Sequence, residues 1–207
     1  MKELDPGILP IVSQHPAKLG VIFTRKDSNI HRLEDIRGHS LILGDQYSTI
    51  SARALFHLAE AGITPSNLVR YVFFDSIGYY ASNSAVRTPD VQLTSHTFVI
   101  EAVRTNGFDV GIASESQFRQ EIEAAGLVPL KVFPSDPVFW AVRSGFPSAL
   151  ASDLRQALVG LRDPEIFRGI SRRITHYLPA SDADLDDLRK AMALVQSQYG
   201  GGYEKEE

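Results

Sequence analysis

The octapeptide Gly44-Asp45-Gln46-Tyr47-Ser48-Thr49-Ile50-Ser51 combines a strand end, a short loop and a hydroxyl-dense helix start. The first amides of a helix lack intrahelical acceptors, and the aligned peptide dipoles place about half a positive charge there. Such a terminus can hold an anion without lysine or arginine. The hydroxyls of Ser48, Thr49 and Ser51 would add donors suited to a tetrahedral oxyanion. A second helix start, Thr94-Ser95-His96-Thr97, repeats the arrangement with an imidazole, which donates a hydrogen bond whether neutral or protonated. Each feature also has a plainer reading, since Ser and Thr are preferred helix caps and a single histidine is commonly an ordinary surface residue.

Other chemistries find little support. The sequence has no G-x-S-x-G elbow, Walker loop, G-x-G-x-x-G or H-E-x-x-H. Its six histidines (His15, His31, His39, His57, His96, His176) are scattered, without metal-binding helical spacing, and it has no cysteine to act as a nucleophile or zinc ligand. No catalytic residue, metal or cofactor is therefore expected. Lys and Arg number 21 against 25 Asp and Glu, a net charge of −4, so no polycationic surface is available to grip nucleic acid. Apolar runs such as Leu41 to Leu43 are far shorter than the ~20 residues that span a bilayer. The opening MKELDPGILPIVSQHP shows no basic segment followed by an apolar run, so no signal peptide is expected in this chain.

These helix starts need a scaffold, and 207 residues at 43% apolar suffice for one large core or two small ones. Short β-branched and aromatic runs alternate with helical patterns. Strands are expected at Leu19 to Thr24, Ser40 to Leu43, Tyr71 to Phe74, Asp109 to Ala113, Leu127 to Phe133 and Phe139 to Val142. Helices are expected from about Ser48 to Ala61, Ser95 to Thr105, Ser116 to Ala125, Ser148 to Leu161, Pro164 to Arg173 and Ser181 to Gln198. Asp75 to Gln92 reads as a long polar excursion, and 200–207 as a loose tail. Strands separated by helices imply parallel pairing, hence an α/β sheet covered on both faces, with both helix starts on its carboxyl edge.

Three segments in order, GVIFTRKDSNIHRLEDIRGHSLILGDQYSTISARALFHLAEAGI, TSHTFVIEAV and GFDVGIASE, resemble the phosphate/phosphite/phosphonate-binding proteins of ABC transporters, over roughly Leu19 to Leu178. The resemblance implies a type II periplasmic-binding-protein fold: one complete α/β lobe plus the C-terminal part of the other. It divides the chain into a first-lobe remnant (1–18), the ligand-binding second lobe (19–137), a mainly helical return to the first lobe (138–199) and the tail. The implied oxyanion ligands are Ser48, Thr49, Ser51 and His96. Glu115 and Asp136 are the nearest candidates for facing an ammonium group, as in members that take aminophosphonates.

The expected ligand is thus a small oxyanion, a phosphonate, phosphate or phosphite, and the expected protein partner an ABC-transporter permease in the periplasm or a comparable extracytoplasmic space. Nucleic acid is not an expected partner, and no enzyme activity is implied. The family's N-terminal βαβ units have no counterpart before Leu19. A half-cleft of reduced affinity is expected, with apolar surface that a dimer or the missing N-terminal lobe would cover. The alternative is a ligand-sensing input domain of a signalling protein. An enzyme using His96 as acid or base with Glu115 as its partner is a third reading.

Overall fold

The structure is a computed structural model that describes residues 7–45, 48–74, 95–170 and 174–199. The expected excursion from Asp75 to Gln92, the end of the helix expected to reach Arg173 and the tail lie outside the described residues. The chain divides into two compact units, one of residues 18–135 and 191–207, the other of residues 1–17 and 136–190.

The larger unit is a five-stranded sheet in the order β4-β3-β5-β2-β6, formed by β2 (Leu19–Arg25), β3 (Ser40–Leu43), β4 (Arg70–Phe73), β5 (Val110–Ser114) and β6 (Leu127–Pro134). β3 is parallel to both β4 and β5, while β2 runs antiparallel to β5 and β6. The sheet is therefore mixed, which corrects the expectation of uniform parallel pairing. β2 enters from the opposite end and fills the gap between β5 and β6, a placement that strand-helix alternation cannot reveal.

Side chains of these strands alternate between two cores. Ile22, Leu41, Leu43, Val110, Ile112 and Phe133 face helix α1 (Thr49–Glu60), while Val21, Phe23, Ile42 and Ala113 face α2 (Ser95–Arg104) and α3 (Glu115–Ala125). This period-two division makes the strands apolar on both faces and covers each face with helix.

At the amino edge of the parallel strands, polar groups lock three strands together. Ser40 donates from its amide (2.9 Å) and its hydroxyl (2.6 Å) to Asp109 Oδ2, and Thr24 Oγ1 donates to the Asp109 carbonyl (2.8 Å). Arg25 Nη1 donates to the carbonyls of Val103 and Phe108, both at 3.1 Å, meeting the carbonyl end of α2 with positive charge. Burial alone would raise the Asp109 carboxyl. The Ser40 hydrogen bonds, with His39 and Arg25 nearby, outweigh that and hold it below its ordinary value of 3.8.

The helix α6 (Asp186–Tyr199) begins in the smaller unit and ends in the larger one. Residues 191–199, expected within the C-terminal return, instead pack on the α1 face, where Val195 and Tyr199 are buried. Tyr199 donates its hydroxyl to the Ile63 carbonyl at 2.6 Å, and burial pushes the phenol pKa well up.

The smaller unit holds an antiparallel sheet, β7-β1-β8, of β1 (Ile8–His15), β7 (Phe139–Arg143) and β8 (His176–Pro179). Helices α4 (Ser148–Gly160) and α5 (Pro164–Ile170) belong to this unit, and a small core of Ile11, Val12, Phe167, Ile174 and Tyr177 holds it together. β1 and β8 escape sequence-based reading. β1 contains Pro10, which a central strand accommodates only beside an irregularity, and the register shifts between Pro10 and Val12. No residue of α4 is buried, and Leu9, Trp140, Leu150, Leu154 and Leu178 of this unit stay exposed, Leu150 to 55%.

Because the Asp109 carboxyl is held below 3.8, the stability it supplies is complete above that value and disappears as pH falls through its lower folded-state pKa. Asp109→Asn is expected to cost about 1 kcal/mol near pH 7, allowing for solvent screening, with the difference shrinking below about pH 4. Denaturant unfolding of both proteins across pH checks this; a pH-independent difference would contradict it.

Candidate functional site

Strand direction decides where the helices begin. β3, β4 and β5 are parallel, so their carboxyl ends share one edge of the sheet. α1 starts a few residues beyond β3, and α3 starts directly after β5. α2 packs on β5 and joins its start through residues 105–109, so it runs back along the strand. Ten helical residues rise ~15 Å and five strand residues ~16 Å, which returns the α2 amino end to that same edge. Ser48, Thr49 and Ser51 thus begin a helix on one face of the sheet, and His96 and Glu115 begin helices on the other.

At α1, Ser48 is the cap. Its Oγ accepts from the Ser51 amide at 3.1 Å and donates to Ser51 Oγ at 3.3 Å. The capping role is therefore real. It also orders the donors, because Ser51 Oγ takes the Ser48 proton and keeps its own hydrogen for another acceptor. Ser51 is only 1% exposed, while Thr49 is partly exposed at the first helical position. Helix geometry leaves the amides of Thr49 and Ile50 without intrahelical acceptors.

Close packing holds this turn in place. The Phe133 ring lies across Gly20, where a Cβ would come within 2.4 Å of the ring and 3.0 Å of the Ile50 methyl group. His57, later in α1, meets the same ring edge-on at 5.3 Å. Glycine at position 20 therefore lets β2, β6 and the first turn of α1 approach closely.

Across the sheet, His96 is partly buried at the second position of α2. Ser114 caps α3 by accepting from the Gln117 amide at 3.4 Å. Glu115 follows it with a side chain only 12% exposed, and its carboxylate receives the guanidinium of Arg119 one turn later. Ser116, which the sequence reading passes over, has a hydroxyl oxygen shielded from solvent and without a hydrogen-bond partner among the described residues. No sequence pattern marks it, because orphaning of a hydroxyl depends on what surrounds it. Asp136 is buried at 8% exposure and opens the second segment of the smaller unit, so the structure does not group it with the five residues on the edge of the larger one.

The arrangement supplies backbone amides, hydroxyls and an imidazole at one sheet edge, with one carboxylate already paired. Such groups are hydrogen-bond donors, the chemistry that suits an anion. Among the described residues, no cluster of three or more His, Cys, Asp or Glu could hold a metal ion. Nor is any helix of the described residues long and apolar enough to cross a membrane.

A family model described as "ABC transporter, phosphonate, periplasmic substrate-binding protein" matches residues 5–185. The fold is similar to that of XAC2383 from Xanthomonas citri bound to chloride ion, at 20% identity and a TM-score of 0.68, over 94% of this chain and 72% of that one. It is similar to PhnD1 from Prochlorococcus marinus in complex with methylphosphonate, at 12% identity and a TM-score of 0.65, over 92% and 72%. It is also similar to a binding protein component of an ABC phosphonate transporter from Pseudomonas aeruginosa, at 16% identity and a TM-score of 0.62, over 93% and 64%.

Gly20→Ala is expected to destabilise the protein by about 1–3 kcal/mol through displacement of Phe133. Ser116→Ala is expected to leave stability unchanged or slightly raised, since it removes a buried hydroxyl that has no partner to lose. Thermal or denaturant unfolding of the two variants distinguishes these effects; a loss of 1 kcal/mol or more in Ser116→Ala would show that its hydroxyl is bonded after all.

Proposed function

Because the chain belongs to the periplasmic substrate-binding proteins of phosphonate ABC transporters, we propose that the carboxyl edge of its five-stranded sheet is where the oxyanion of the solute is held. The family serves transport rather than catalysis, and its members work in the periplasm. A signalling input domain is not favoured by the family match.

The observation that carries this reading is the convergence of the α1 and α2 amino ends, from opposite faces, on one edge. The Thr49 and Ile50 amides and the hydroxyls of Thr49 and Ser51 meet the anion from one side. His96 meets it from the other. Hydrogen bonds from neutral donors suit a small tetrahedral anion, whose charge is then balanced by helix ends rather than by a lysine. That donor set accepts phosphonate, phosphite and phosphate alike, because all three present tetrahedral oxygens. The ligand is bound and released without chemical change.

Isothermal titration with methylphosphonate, phosphite and phosphate tests the assignment. Binding heat is expected for at least methylphosphonate, with Thr49→Val and His96→Gln each weakening it about 10-fold or more, the loss of one hydrogen bond to a charged group. Unchanged affinity in both folded variants would overturn the residue assignment.

A further inference from the structure

We infer that Arg119 sets which charge the proposed site accepts: by holding Glu115, it makes the edge a receptor for a plain oxyanion rather than for one that also carries an ammonium group. The inference rests on the functional reading above.

Glu115 occupies the first position of α3, immediately after β5, at the edge that also carries the α1 and α2 starts. A carboxylate is well placed there with respect to the α3 dipole, but it brings a full negative charge beside a site meant for an anion. An unpaired acid at this point would repel a simple phosphonate and attract a ligand bearing an amino group. The charge is not left unpaired. Arg119, four residues on along the same helix face, donates its Nε to the Glu115 carboxylate.

The two partners differ sharply in exposure, 12% for the Glu115 side chain and 74% for that of Arg119. The acid is thus covered and the arginine reaches it from solvent. Such a pair contributes little to folding, because an exposed guanidinium gains little from pairing. Its effect falls on the local charge, which becomes about neutral rather than −1.

Titrations with methylphosphonate and 2-aminoethylphosphonate, ligands with the same head group and differing in the ammonium, measure this. The wild type is expected to favour methylphosphonate. Arg119→Gln is expected to weaken methylphosphonate and strengthen 2-aminoethylphosphonate, moving the ratio of their Kd values by about 10-fold with the melting temperature nearly unchanged. Arg119→Lys is expected to keep the wild-type ratio, and the double variant Glu115→Gln/Arg119→Gln to restore it, since both leave the edge neutral. A wild type that prefers the amino compound, or a ratio unmoved in Arg119→Gln, overturns the inference while leaving the oxyanion site standing. Absence of binding by either ligand overturns the site and this inference with it.

Discussion

A helix cannot satisfy its own first amides, and this constraint organises the larger unit. Three helices begin at the edge where β3 and β5 end, so their first amides and positive dipole ends collect there. At the opposite edge, Ser40, Thr24 and Asp109 bond to one another, and Arg25 meets the carbonyl end of α2. The sheet is thereby tied off at one end and left rich in donors at the other, the polarity that a binding edge needs.

Packing converts that polarity into a defined geometry. The Phe133 ring over Gly20 seats the first turn of α1 against β2 and β6. A similar approach occurs at Gly111, where a Cβ would lie 2.5 Å from the Phe23 ring and 2.9 Å from a Val103 methyl group, so α2 sits close on β5. The two glycines serve opposite faces. Gly20 lets the first turn of α1 approach the sheet, and Gly111 lets the last turn of α2 do so on the other face.

The smaller unit is built differently. Its sheet is antiparallel, its core is small, and α4 lies on it without burying any residue completely. Arg155 ties that helix down by donating to the carbonyls of Ile11 and Ala180, at 3.1 and 3.4 Å. Leu150 and Leu154 of the helix remain exposed, in contrast to the covered faces of the larger sheet. The family to which the chain belongs is one of periplasmic substrate-binding proteins.

Local order along the chain was enough to place the strand-loop-helix unit through Ser51, the start of α2 at Ser95 and the strand ending at Ser114, because side-chain periodicity, caps and glycine stops act over a few residues. The ordered motifs also pointed to the right family. Glu115 and Arg119 stand four apart, a spacing that announces a helical ion pair, yet only the fold gives the pair a place at the edge with the other helix starts. The antiparallel entry of β2, the bulged β1, the docking of 191–199 on the α1 face and the orphaned Ser116 hydroxyl were decided by tertiary structure alone. Strand direction, register and burial arise from contacts between segments far apart in the chain, and no short stretch of residues carries that information.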